Sequence, residues 1–540
     1  MVLLVGTTIE DPIARCIALE TENAQLREEK RLANEENAEL AAKVRWFEEQ
    51  HRLDLHRRFG ASSEKTDPSQ FMLFDEAEAV CDPSAAEPVL EEITYKRRKA
   101  KGKRDAQLAD LPEETIEYPL PLDEQICPVC GGVLHKMGED VRREFGIRPM
   151  QVYIIRHVRH VHACRTCQTD EIETPVKTAP MPKPAFPNSL ASPSAVAYIM
   201  NGKFVEGLPL YRQEQILERL GVELSRQTLA NWMIRGAGYL KIIYDRLKVH
   251  LLKQEHLHAD ETTLQVLHEE GRAPETDSYL WLYRSGRDGP PIVLFEYQRT
   301  RAAEHPKLFL EGFKSYLQVD GYAAYEKLEG IVLVGCWSHA RRGFTDALKP
   351  LSKQMQKSSV AAEGLAFCNR LFAIERDLKG ASPEERKAQR LVRSVKALDE
   401  FEIWLTQKSV TMLPKSPTGK AIGYCINQWD KLTAFLLDGR LEIDNNRAER
   451  SIKPFVMGRK AWLFANTPKG ATASATIYSI VETAKENGLN PFAYLTYVFE
   501  QLPNVDVSDP IVIDKLLPHS LDLPEYVRMP TKKQHNPATQ

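Results

Sequence analysis

The sequence has no long apolar run and no excess of basic charge. Its 540 residues contain no stretch of about 18 apolar residues, so no membrane span is expected. The apolar stretch at residues 1–5 is too short for a secretory signal and has no basic residues before it. The 72 Lys and Arg are balanced by 75 Asp and Glu, which gives a net charge of −3. Any contact with nucleic acid must therefore depend on local basic segments.

Two further absences narrow the class of protein. No Gly-x-x-x-x-Gly-Lys-Ser/Thr segment is present, which disfavours an ATP-driven motor. The nine cysteines are an odd number and four stand in Cys-x-x-Cys pairs, which favours metal binding in a reducing cytoplasm over a disulfide framework. The length and the 43% apolar content are sufficient for several domains with hydrophobic cores.

A heptad pattern runs through residues 13–50. The d positions are Leu19, Leu26, Ala33, Leu40 and Phe47, and the a positions are Cys16, Asn23, Lys30, Asn37 and Val44. This spacing predicts a coiled coil that joins copies of the chain, and Asn at two a positions favours a paired, two-stranded coil. The alternative is a solvated helix that packs on its own domain, which the narrow apolar stripe disfavours.

A strongly basic segment follows at residues 95–104, where seven of ten residues are Lys or Arg. It is either a solvated linker or an arm that binds phosphates, and both descriptions can hold.

Two Cys-x-x-Cys motifs predict a structural zinc site. Cys127 with Cys130 and Cys164 with Cys167 supply four thiolates, which complete a tetrahedral Zn²⁺ site. The 33 residues between the motifs include an apolar segment, 152–158, that predicts a strand. Four unrelated cysteines are a less favoured reading, as is a redox pair, because no βαβ pattern surrounds either motif.

A proline-rich linker precedes a pair of predicted helices. Six prolines fall within residues 175–193. The first helix ends at Gly221, and the second opens with Ser225 as its N-cap. A short turn between two helices is typical of a DNA-binding helix-turn-helix, although helical hairpins without a DNA role are common.

From residue 254 onward the pattern is typical of a mixed sheet. Three strand-like segments, a short helix and two more strand-like segments follow one another. Asp260 lies on the first predicted strand and Asp320 at the end of the fourth. If these strands are adjacent, both carboxylates meet at one site.

A third carboxylate could complete a metal site, because three carboxylates can hold two Mg²⁺ ions that clamp the oxygens of a phosphodiester. Glu449 lies 129 residues after Asp320, beyond helical patterns that predict an α-helical insertion in the core. The pattern by itself does not choose among Glu442, Asp444 and Glu449. A lone Asp or Glu is most often a cap or a surface residue.

Short motifs in a fixed order extend along nearly the whole chain. They are LFDEAE at 73–78, the two Cys-x-x-Cys pairs, GLPLYR at 207–212, HADET at 258–262, DGY at 320–322, GCWSHARR at 335–342, DNNRAER at 444–450, RKAWLF at 459–464 and ETAK at 482–485. This set closely resembles the transposases of the insertion-sequence-66 family, which belong to the D-D-E group with a ribonuclease-H-like core. Ala461, where the family usually has Asn, touches no presumed metal ligand.

The resemblance implies a reaction and its residues. Asp260, Asp320 and Glu449 would be catalytic and bind Mg²⁺ or Mn²⁺, for cleavage at the ends of the element and transfer of 3′ hydroxyls into target DNA. His339, Arg341 and Arg342 are either groups that orient phosphate or an ordinary helix start. The implied partners are element-end and target DNA, a second copy of the chain and element-encoded accessory proteins. The implied location is the bacterial cytoplasm, at the nucleoid.

The expected fold is multidomain α+β, with a ribonuclease-H-like mixed α/β core. The predicted parts are a coiled coil (13–50), a linker with a basic arm (51–110), a zinc-binding module (111–174), a Pro-rich linker (175–193), a helix-turn-helix region (194–250), the core (251–345 and 441–500) with its α-helical insertion (346–440), and a C-terminal tail (501–540).

Two other functions fit the same modules. A DNA-binding regulator with an inert nuclease core would use the coil, the zinc module and the helix pair equally well, although three intact carboxylates argue against it. A ribonuclease-H-like nuclease without strand transfer would also fit the sequence.

Overall fold

The computed structural model describes residues 21–32, 34, 151–163 and 176–530. Residues 151–160 form no regular element, so the strand predicted over 152–158 is wrong. The strand begins only at Val161, where β1 (Val161–Ala163) pairs antiparallel with β2 (Val176–Thr178). Apolar β-branched residues favour extended backbone, but a strand also needs a hydrogen-bonded neighbour, and the local pattern could not locate it.

Three helices lie between β2 and the five-stranded sheet. They are α1 (Pro193–Phe204), α2 (Leu210–Arg219) and α3 (Arg226–Leu252). The side chain of Ser225 caps α3 by accepting a hydrogen bond from the Thr228 N–H at 3.3 Å, as predicted. The two predicted helices are therefore present, and the second continues for 27 residues with one face in the core.

Five strands form one mixed sheet. They are β3 (His256–Gln265), β4 (Asp277–Ser285), β5 (Val293–Gln298), β6 (Tyr316–Gln318) and β7 (Val332–Val334). Their order across the sheet is β5-β4-β3-β6-β7. The first three are antiparallel, whereas β6 and β7 run parallel to β3. The first and fourth strands are thus neighbours, and the short helix α4 (Glu304–Phe309) lies between β5 and β6 in the chain.

Between the two parts of the core, the chain is helical and has its own apolar cluster. Its helices are α5 (Trp337–Leu348), α6 (Lys353–Lys357), α7 (Val360–Asp377), α8 (Pro383–Thr411), α9 (Pro417–Asn427) and α10 (Trp429–Thr433). Serines cap four of them through the N–H three residues on, namely Ser352, Ser359, Ser382 and Ser416. Trp337, Phe344 and Phe401 are fully buried in the cluster.

Four helices complete the described chain. They are α11 (Asn446–Trp462), α12 (Pro468–Glu486), α13 (Pro491–Gln501) and α14 (Pro510–Asp514). No helix in the described ranges combines the length and the apolar composition that crossing a membrane requires.

Helix α12 closes one edge of the sheet. The edge strand β5 directs the N–H groups of Val293 and Phe295 toward the helix, where Thr483 Oγ1 and Ser479 Oγ accept them at 3.0 and 2.8 Å. The two hydroxyls are one helical turn apart, so they match residues two apart on a strand. Donors that an open edge would leave unpaired are thereby satisfied.

The segment after α13 is tied to α3 by an ion pair. Asp514 accepts hydrogen bonds from Arg246 at 2.5 and 2.6 Å and lies 2.8 Å from His250 Nε2. The Arg246 guanidinium lowers the pKa of Asp514 to about 2. Because the folded pKa is depressed, the stabilisation is present above pH 4 and is lost as pH falls toward 2.

We therefore expect Asp514→Asn to lower the free energy of unfolding by about 1–2 kcal/mol at pH 7, a value reduced for partial solvent screening. In urea titrations, the gap between the midpoints of wild type and variant should narrow from pH 7 to pH 3. Asp522→Asn, an exposed carboxyl in the same segment, is the control. A gap that stays constant with pH would show that the charge of Asp514 is not what stabilises the contact.

Candidate metal centre

Two neighbouring parallel strands lead to the two aspartates. The register pairs His258 of β3 with Gln318, the last residue of β6. Asp260 lies two residues after this pair within β3, and Asp320 lies two residues after it, just past the end of β6. Asp260 Oδ1 accepts the N–H of Glu261 at 2.9 Å, which fixes its carboxylate. The predicted adjacency of the first and fourth strands is therefore confirmed.

The turn after Asp320 depends on a glycine. Gly321 has φ +127°, and a Cβ at this position would lie 3.3 Å from the ring and hydroxyl atoms of Tyr424. The N–H of Tyr322 donates to Asp320 Oδ1 at 2.8 Å, and the Tyr424 hydroxyl donates to the Asp320 carbonyl at 2.5 Å. These bonds hold the Asp320 side chain at the end of its strand.

Glu449 enters the same region from the first turn of α11. Its Oε2 lies 3.5 Å from Arg342 Nη2 and its Oε1 lies 3.9 Å from His339 Nδ1. Within the part of the chain that the structure describes, that Oε1 and that Nδ1 are both buried and have no hydrogen-bond partner. These two atoms lie close together and both can act as metal ligands. A cation bound between them would satisfy both.

The Asp260 carboxylate is within the electrostatic reach of the other two candidate carboxylates. Burial raises the pKa of Asp260 well above its usual range, and the charges of Glu261, Asp320 and Glu449 raise it further. Carboxylates this close repel each other unless a proton or a cation compensates. A hard divalent cation with oxygen ligands, such as Mg²⁺ or Mn²⁺, fits the donor set of Asp260, Asp320 and Glu449.

A second combination of ligand atoms overlaps this site. Cys336 Sγ, a His339 ring nitrogen and a Glu449 oxygen lie within 4.8 Å of one another. Cys336 is a poor ligand, because burial raises the pKa of its thiol to about 12 and its sulfur accepts the Asn445 N–H at 3.2 Å. Burial lowers the pKa of His339 and so favours the neutral ring, which can bind a metal.

The other two carboxylates near α11 are occupied by structural contacts. Glu442 accepts three hydrogen bonds from the Arg447 guanidinium, the shortest at 2.7 Å from Nη2. Asp444 accepts hydrogen bonds from the backbone and side chain of Asn446 and from Ser338. Among Glu442, Asp444 and Glu449, Glu449 is the residue that has a buried carboxylate oxygen without a hydrogen-bond partner in the described chain.

His339, Arg341 and Arg342, which follow the fifth strand, make different contacts. His339 and Arg342, one helical turn apart on α5, both face Glu449. Arg341 points away from it, because its Nε donates to Asn369 Oδ1 at 2.8 Å and its guanidinium lies 5.7 Å from the Phe372 ring.

A polar network next to the aspartates was not anticipated from the sequence. Glu261 is buried, receives the Tyr325 hydroxyl at 2.6 Å and pairs with Arg301. The Arg301 guanidinium stacks 3.7 Å from the centre of the Tyr322 ring. Glu261 and Tyr322 belong to the motifs at 258–262 and 320–322. No sequence motif includes Arg301, which contacts them from the segment between β5 and α4.

Asn445 joins the three elements of the site, and it too was missed. Its side chain bonds His258 Nδ1 and the Ala259 carbonyl, both at 2.9 Å, next to Asp260. Its N–H donates to Cys336 at the start of α5, and its carbonyl accepts the Glu449 N–H at 3.2 Å. Burial lowers the pKa of His258 to about 4, so the ring is neutral at pH 7.

Asn445→Ala should lower the free energy of unfolding by roughly 2–4 kcal/mol, because the buried His258 ring and Ala259 carbonyl would lose their partners. Denaturant titration measures the change. The matched control is Asn369→Ala, which removes an exposed amide that bonds only one arginine in the described chain. Equal stability of the two variants would contradict a joining role for Asn445.

The cysteines predicted to bind zinc, Cys127, Cys130, Cys164 and Cys167, lie outside the described residues.

Models of protein families match four parts of the chain. The family described as "Transposase IS66 family" matches residues 188–473, just over half of the chain. The "zinc-finger binding domain of transposase IS66" matches 124–168, which contains all four of those cysteines. The "IS66 C-terminal element" matches 479–519, and "Transposase C of IS166 homeodomain" matches 46–116.

Curated relatives include uncharacterized proteins of Sinorhizobium fredii. Protein y4jD is 32% identical over 424 residues, which cover 75% of this chain and 81% of the relative. Protein y4qI is 32% identical over 408 residues, which cover 72% of each chain. The family match, the extent of these similarities and the order of the motifs agree, and the chain belongs to the IS66 family of transposases.

Proposed function

We propose that this chain is a DNA transposase that cleaves phosphodiesters at the ends of its element and transfers the 3′ hydroxyls into target DNA. Asp260, Asp320 and Glu449 are the catalytic residues and the ligands of Mg²⁺ or Mn²⁺. The observation that carries this proposal is the buried Oε1 of Glu449, which has no hydrogen-bond partner in the described chain, together with two aspartates that the neighbouring strands β3 and β6 carry or lead to. The sheet order, with an antiparallel meander followed by two parallel strands, supports a ribonuclease-H-like core.

Bound metal supplies an activated water and stabilises charge on the scissile phosphate. The side chains perform the positioning. Asp260 and Asp320 present oxygens from a rigid sheet, and Glu449 presents its oxygen from a helix that Asn445 holds against β3. Arg342 and His339, which lie 3.5 and 3.9 Å from Glu449, would contact a phosphate oxygen.

Two displacements at phosphorus make up the reaction. In the first, water adds to a terminal phosphodiester, and the broken P–O bond releases a 3′ hydroxyl. In the second, that hydroxyl attacks a target phosphodiester, a new P–O bond joins element to target, and the displaced target oxygen leaves as a 3′ hydroxyl. Each bond formed replaces one broken, so no external energy source is needed.

DNA binding is assigned to other parts of the chain. The zinc module, the basic segment 95–104 and the start of α3 would bind element ends, and residues 13–50 would join two or more copies. Residues 21–32 are helical. The side chain of Leu26, at a d position, is 55% exposed, as expected for a coiled-coil interface in a single chain. Element-encoded accessory proteins and action on DNA at the bacterial nucleoid belong to the same proposal.

The test is an assay of purified protein with Mg²⁺ on labelled duplexes. One duplex carries the inverted repeat that flanks the reading frame, and the control carries the same base pairs in shuffled order. We expect cleavage at the end of the repeat and joined products with a target plasmid. Cleavage without joined products would favour a nuclease without strand transfer. Specific binding without cleavage would favour a DNA-binding regulator.

A further inference from the structure

A basic cleft lies between α5 and α7, in the helical insertion. Its volume is about 590 Å³, within the range of roughly 300–1,000 Å³ that small-ligand sites occupy. Its lining residues are Arg341, Asn369, Phe372, Glu375, Arg376 and Lys379.

The charge of the cleft is positive and uncompensated. Arg376 and Lys379 are exposed and have no ion-pair partner among the residues that the structure describes. Glu375 is the one acid in the lining, and both its oxygens are taken by the buried Arg390, at 2.8 and 2.7 Å. The charge of Glu375 is therefore compensated by Arg390. The other charged residues of the lining are three cations, Arg341, Arg376 and Lys379.

The other lining groups suit a nucleic acid strand. Arg341 donates to Asn369 only through its Nε, so its terminal nitrogens can donate to a phosphate. Phe372 is partly exposed and offers an apolar ring between the cations. Basic side chains are the groups with which proteins track a sugar–phosphate backbone, and an aromatic ring beside them can stack on an unpaired base.

The cleft is next to the metal centre. Arg341 and Arg342 are consecutive on α5, and the first faces the cleft while the second faces Glu449. We propose that the cleft binds backbone phosphates of the DNA strand that leads away from the scissile phosphate. This assignment rests on the proposed function, since it takes DNA as the substrate.

The experiment measures DNA affinity against salt for two charge-matched variants of the full chain. The test variant is Arg376→Gln with Lys379→Gln, and the control is Lys353→Gln with Lys387→Gln, two exposed cations elsewhere in the insertion. Glu449→Gln is present in every protein so that the DNA stays intact. The probe is a fluorescent duplex that carries the inverted repeat. Each lost phosphate contact flattens the log–log salt slope by about 0.9, so we expect about 1.8 for the test variant and little for the control.

Ethylation interference locates the contact. Ethylating the phosphates next to the cleft should weaken binding of the Glu449→Gln protein but not of the test variant. Equal salt slopes in test and control, or an unchanged ethylation pattern, would overturn the cleft assignment while leaving cleavage by the wild type intact. Absence of any specific binding by the parent protein would overturn the proposed function together with it. The four cations changed are exposed, and thermal melting confirms that each variant is folded.

Discussion

Glu449→Gln should lower the rate of cleavage at element ends by roughly a thousandfold or more. Removing one negative ligand weakens the hold on a hard dication and removes several kcal/mol of transition-state stabilisation, at about 1.4 kcal/mol for each factor of ten. Asp260→Asn and Asp320→Asn should behave in the same way. Gel-shift affinity for the same DNA should change little, because DNA binding is assigned to other modules. Mn²⁺, which tolerates poorer ligands, should restore a fraction of the activity.

The matched control is Glu442→Gln, seven residues away. Its carboxylate pairs with Arg447 and lies 3.7 Å from His258 Nε2, so its loss should reduce stability and leave the cleavage rate per folded molecule within a few-fold of wild type. Cleavage by Glu449→Gln at the wild-type rate, together with an inactive Glu442→Gln, would show that the third ligand is Glu442. Normal cleavage by all three carboxylate variants would contradict the D-D-E assignment.

One zinc ion should bind per chain, and Cys164→Ser with Cys167→Ser should abolish it. Structural zinc in small modules contributes an apparent binding free energy of about 10–16 kcal/mol, so the module should not fold without the metal. Its thiolates must lose protons on binding, and zinc affinity should therefore fall with falling pH. Metal analysis of the purified proteins measures the stoichiometry, and proteolysis between the two motifs measures folding.

Cys81→Ser is the control for the zinc prediction, because Cys81 lies outside both motifs. It should retain the full metal content. A zinc content unchanged in the double variant would place the metal elsewhere in the chain, despite the match of residues 124–168 to a zinc-finger family.

Local chemistry was enough to predict several elements. Ser225 before a polar turn predicted the start of α3, and the apolar runs predicted the strands, since caps and apolar runs act over a few residues. The adjacency of Asp260 and Asp320 also followed, because strand succession restricts which strands can be neighbours. Where a strand needed a distant partner, as at residues 152–158, the local pattern failed.

The sequence by itself determined the family to which the chain belongs, and with it the candidate residues Asp260, Asp320 and Glu449 and the cysteine pairs. The tertiary structure decided which oxygens near α11 are occupied, because Arg447, Asn446 and Ser338 bond Glu442 and Asp444, whereas Glu449 Oε1 has no hydrogen-bond partner in the described chain. It also separated Arg342 from Arg341 and gave Asn445 its contacts with β3 and α5. Several of these contacts, such as Ser338 with Asp444 and Asn445 with Ala259, join residues more than a hundred positions apart, and their geometry is set by packing that no local pattern encodes.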